Sequence, residues 1–133
     1  MKTRLRTKSE FIVKPENKVV VCIMKVDMQL IDSGCWCFID PKWWATKAPM
    51  VDDYGVFTVT AKARCNPSDT FGKTIGKRIA ESRAKAKAFK TAKNVWNCIA
   101  KALTEKANMV STLAKNCEEM EEIESNHVKE LSE

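Results

Sequence analysis

The chain has 133 residues, 23 Lys+Arg against 17 Asp+Glu, and a formal net charge of +6. Its 44% hydrophobic and 30% charged residues are the balance of one folded domain with a core, not of a disordered chain. No apolar run approaches the roughly 18 residues of a membrane span. The start, MKTRLRTKSEF, lacks the apolar stretch of a secretory signal, so a membrane protein, a secreted precursor and a multidomain enzyme are not expected.

The charge is unevenly spread. Residues 1–20 have a balance of +4, and residues 72–94 reach +7, with Glu81 the one acid among eight cations. Residues 118–133 carry seven Glu against Lys129, a balance of −6. A basic block and an acidic tail in one small chain point to an anionic partner, to self-association, or to both; a solvated helix face at each place is the plainer alternative.

From Lys18 to Ile31 the even positions Val20, Cys22, Met24, Val26, Met28 and Leu30 are apolar, with Lys25, Asp27 and Gln29 between them. This period of two predicts a strand with one face buried along its length. Asp32-Ser33-Gly34 is a turn signal, after which GCWCFID reads as the return strand of a hairpin. KWWATKA, between Pro41 and Pro49, reads as a loop or short irregular helix whose tryptophans cap a core or fill a subunit interface. The run VFTVTAKARC alternates again: Phe57, Val59, Ala61, Ala63 and Cys65 on one face, Thr58, Thr60, Lys62 and Arg64 on the other.

Asn66-Pro67-Ser68-Asp69-Thr70 is turn chemistry, with helix N-cap candidates at Ser68, Asp69 and Thr70. Beyond Gly76 there is neither Gly nor Pro, and apolar residues recur at helical spacing: Ile75, Ile79, Ala86, Phe89, Trp96, then a heptad-like seam through Ile99, Leu103, Val110, Leu113, Cys117, Met120 and Ile123. An unbroken helix here would be about 90 Å long, too long for one small domain to bury. The expectation is an α+β chain: an antiparallel sheet over about 10–65, then long C-terminal helices over about 69–131, broken near 94 or 108, with partner chains covering the remainder.

A catalytic centre is not expected. Gly72-Lys-Thr-Ile-Gly76-Lys77-Arg78 is one residue short between its glycines for a Walker loop, and Arg78 stands where the metal-binding hydroxyl belongs. The only histidine, His127, lies in the acidic tail, and the carboxylates of the first half are scattered. The six cysteines include a CxC, Cys35-Trp36-Cys37, without the paired knuckles of a zinc site; reduced thiols and no metal or cofactor are expected.

An anion site is better supported. CNPSDTFGKTIGKRIAESRAKAKAF runs from a strand end through a turn into a helix start, whose free N–H groups attract phosphate. Arg83 and Lys87, four residues apart on one helix face near Ala80 and Gly76, offer a bidentate donor and a point charge. Phe57 suits either the core or a flat surface for a base.

The pattern C-N-P-S-D-T-F…G…I-A…R-A at residues 65–84, set between an alternating strand and a long helix, resembles small phage-encoded proteins, in particular the first family of Thoeris anti-defence proteins. The resemblance covers residues 55–90 by motif and the remainder in architecture. It implies a sponge that sequesters cyclic ADP-ribose isomers, with cyclic di- or trinucleotides at a second site, without cleaving them, in the host cell cytoplasm. It also implies assembly as dimers and hexamers. Position by position, Phe57 would stack on the adenine, Asn66 would hydrogen-bond the base or ribose, and Asp69 would order the turn. Arg83 and Lys87 would hold the pyrophosphate in a pocket shared by two subunits; Lys87 departs from the family's Arg. The competing functions are a basic phage DNA- or RNA-binding protein working through helix 72–94, and a protein inhibitor of a defence enzyme docking through Trp36, Trp43 and Trp44.

Overall fold

The structure, a computed structural model, describes residues 5–30, 51, 55–65 and 72–132. Its period-two runs are strands. β1 is Arg6–Lys14, β2 is Val19–Asp27 and β3 is Val56–Arg64, in one antiparallel sheet of order β1-β2-β3. A short 3-10 turn at Pro15–Asn17 closes the β1–β2 hairpin, with Lys18 in the left-handed region (φ 50°) and its N–H donating to the Pro15 carbonyl. Among the described residues one α-helix, α1, Lys73–Ser132, follows the sheet. The architecture is α+β: a three-stranded antiparallel sheet and one long helix packed on it.

Register places the apolar alternation on one face. Val20, Cys22, Met24 and Val26 of β2 stand opposite Ala63, Ala61, Val59 and Phe57 of β3, and opposite Val13, Phe11, Ser9 and Thr7 of β1. Val20, Cys22, Met24 and Val26 are fully buried, each large apolar side chain contributing about 1.5–3 kcal/mol by leaving water. Met28 and Leu30 extend that buried row past the end of β2. The even positions from Val20 to Leu30 are thus the core row that their alternation predicts.

The helix meets the sheet through alanine. Ala80, Ala84, Ala88 and Ala92, each four residues from the next, are buried, as is Val95. Ile75 and Phe89, which the spacing puts on the buried stripe, are 65% and 48% exposed, and Ala86 is exposed too. The correction has a steric reason: the buried stripe is built of methyl groups, and the larger side chains stand at its flanks. Lys77 Nζ sits 5.5 Å from the Phe11 ring centroid, so the same helix also touches β1.

Two further expectations change. The helical part is one helix, continuous through Asn94 and Asn108. Both edges of β2 are taken, by β1 and β3, and β1 has no counterpart among the strands expected from spacing. The segments GCWCFID and KWWATKA lie outside the described residues.

The chain divides into two units, Met1–Asn97 and Cys98–Glu133. The first holds the sheet and residues 73–97 of α1. The second is helical, and every described residue from 104 onward is exposed. Among the described residues, no helix is long and apolar enough to cross a membrane.

Candidate anion-binding site

Arg83 and Lys87 come together at the outer edge of β3. In an antiparallel strand alternate residues bond to the same neighbour. The amides of odd-numbered β3 residues face β2, a pattern continued by the Cys65 N–H donating to the Lys18 carbonyl. The carbonyls of Thr60 and Lys62 therefore point to the free edge. Arg83 Nη1 donates to the Lys62 carbonyl at 2.8 Å, and Lys87 Nζ to the Thr60 carbonyl at 2.7 Å. The spacings match: four helix residues rise about 6 Å, and two strand residues advance about 6.7 Å. Both side chains are exposed, and Arg83 uses one of its five donors in that bond.

The neighbouring cations come from the sheet face turned away from the helix. Cross-strand register sets Lys14, Val19 and Arg64 in one row and Ile12, Val21 and Lys62 in the next. A depression of about 530 Å³ lies there, floored by Val19 and Val21 and flanked by Lys14, Lys18, Lys62 and Arg64, with Glu16 as its one acid among the described residues. It is an open, cationic surface with an apolar floor.

The remaining expected site residues fall differently. Phe57 is only 5% exposed and sits on the helix-facing side of the sheet, opposite Val26. Its ring belongs to the core, three residues along β3 from Thr60 (about 10 Å). Asn66 and Asp69 lie outside the described residues. Of the five residues named from the sequence, Arg83 and Lys87 are the pair that the fold brings together.

Lys62 and Arg64 were legible as the polar face of β3, but Lys14 and Lys18 join them only through the pairing of β1 with β2. Had Ser9, Phe11 and Val13 been read as an alternating row before the Pro15-Glu16-Asn17 turn, β1 and its cations would have been placed.

The thiols and carboxylates offer little further chemistry. Cys22, Cys98 and Cys117 are free thiols, and Cys22 is wholly buried. Burial pushes its thiol above the ordinary value, a hydrogen bond with Ser9 pulls it down, and the Glu81 charge adds a push upward. No group of three or more His, Cys, Asp or Glu side chains is placed to hold a metal ion among the described residues. No family model, curated protein or solved structure matches the chain.

Proposed function

We propose that the protein is a non-enzymatic binder that sequesters a cyclic nucleotide signal. In this reading it is a phage anti-defence sponge for cyclic ADP-ribose isomers, or for cyclic di- or trinucleotides, acting in the host cytoplasm as a homo-oligomer (a dimer or hexamer). The observation that carries it is the cation cluster around β3: Arg83 and Lys87 on its edge, with Lys62 and Arg64 on the adjoining face. The β3 carbonyls orient the two helical cations, and guanidinium donors suit a pyrophosphate. Sequestration needs such contacts and no reactive group.

The base contact differs from the one the resemblance implies. With Phe57 in the core, the half-buried Val21 on the floor of the depression is the apolar side chain left for a flat base.

Isothermal titration of the full chain with cyclic ADP-ribose isomers and cyclic di- and trinucleotides tests the reading. The expected result is micromolar or tighter binding to at least one, weakened roughly tenfold or more by Arg83→Ala and by Arg64→Ala, the loss of one charge-assisted contact each. No micromolar binding to any of them overturns it. Binding to DNA or RNA alone, falling steeply with salt, would establish the nucleic-acid alternative instead.

A further inference from the structure

The exposed second unit carries its own recognition pattern. From Leu103 onward, Leu103, Val110, Cys117 and Glu124 recur every seven residues, with a companion row of Lys106, Leu113, Met120 and His127. Together they form one seam along the helix. Val110, Leu113 and Met120 are each more than half exposed, and an open apolar groove lies among Leu113, Cys117 and Met120. A lone helix presenting such a seam to water is marginal, because helices of this length gain most of their stability from packing. Three seam positions break the apolar pattern, Lys106, Glu124 and His127, and the two charges of opposite sign, Lys106 and Glu124, identify the occupant.

We infer that this seam pairs antiparallel with the same seam of a second copy of the chain, in the register that sets Leu113 against the partner's Cys117. That register sets Val110 against the partner's Met120 and Leu103 against the partner's His127. It also brings Met109 beside the partner's Ile123 on the flank. Lys106 then meets the partner's Glu124, so both seam charges are matched across the pair. A shift of one heptad loses this match: Glu124 would face the partner's Leu113 or the partner's Ile99, and Lys106 the partner's Leu131 or the partner's Cys117. A parallel pair is worse, since each Lys106 and each Glu124 would meet its own copy.

The wider charge distribution selects the same orientation. Residues 99–114 carry Lys101, Glu105 and Lys106, a net +1, whereas residues 116–131 carry six Glu against Lys129, a net −5. Parallel pairing lays the two acidic halves side by side within a Debye length of about 8 Å. Antiparallel pairing lays each against the other's non-acidic half. The pairing deepens the self-association proposed above by naming its surface, orientation and register, and it needs no nucleotide.

Sedimentation of the full chain without ligand, together with charge exchange and cross-linking, tests it. Dimers or even-numbered assemblies are expected at micromolar concentration. Lys106→Glu and Glu124→Lys should each weaken association about tenfold, and the double exchange should restore it, because the two positions meet only across chains. Under mild oxidation the Leu113→Cys variant should form a disulfide to the partner's Cys117, located by peptide mass mapping. A monomer throughout overturns both the pairing and the self-association. A dimer whose double exchange fails to recover, or a native chain that links Cys117 to the partner's Cys117, overturns the pairing alone. Nucleotide titration reads the ligand separately, so failure of either reading is recognisable by itself.

Discussion

Gly55 is the residue whose identity the backbone most constrains. Its φ is +83°, its carbonyl accepts the Met28 N–H, and a Cβ there would stand 2.6 Å from Leu30 Cγ. Both the left-handed backbone and the contact with a fully buried Leu30 oppose any side chain. Gly55→Ala should cost about 1–3 kcal/mol, read as a lowered urea midpoint with an unchanged slope. Cys22 supplies a second test at this scale. Its folded-state thiol titrates above its unfolded value, so its contribution to stability is complete below the unfolded pKa and is lost as pH rises beyond it. Cys22→Val should flatten the fall of the urea midpoint at alkaline pH. An alkylating reagent should reach Cys22 only at the rate of unfolding.

The elements were unevenly legible. β2 and β3 could be read because each has one dry face, and six consecutive even positions from Val20 to Leu30 leave a single register for the buried side. β1 was missed because its outer residues interrupt the alternation: Ile12 is apolar yet 46% exposed. On α1 the opposite happened, since large apolar residues suggested a stripe through Ile75 and Phe89 while the contact is made by alanines. Composition cannot tell a helix buried through its alanines from one buried through its bulky side chains. The candidate site was half legible for a similar reason: Arg83 and Lys87 share a helix face by spacing alone, but the carbonyls that orient them become visible only once β3 has a free edge. The alanine contact makes a prediction of its own. Ala84→Leu should overpack it and destabilise the fold by about 1–3 kcal/mol, whereas Lys85→Leu, one residue on and exposed, should change the thermal midpoint little.

At the scale of the molecule, two units of different character share one helix. The first has a sheet, a core and cations oriented by backbone; the second presents an exposed seam, for which a second copy is the inferred cover. If that cover is another copy, far-ultraviolet ellipticity should fall on dilution from micromolar to nanomolar protein and the thermal midpoint should rise with concentration. Helicity independent of concentration would mean that residues 98–132 hold their fold without a partner. The charge asymmetry also acts at this scale: the +7 of residues 72–94 and the −6 of residues 118–133 nearly cancel, so the modest overall +6 conceals two strong local fields of opposite sign.

The bonds from Arg83 and Lys87 to β3 have a consequence for how the protein stays unaggregated. Among the described residues β3 pairs on one side only, and an open strand edge is a template on which stray chains polymerise. The two cations occupy carbonyls that such a chain would need, and they set charge in its path. An anion that drew both side chains onto itself would bare that edge, so a bound ligand must cover the strand as well as satisfy the cations. An anion bound there would therefore draw on the same two side chains that guard the edge.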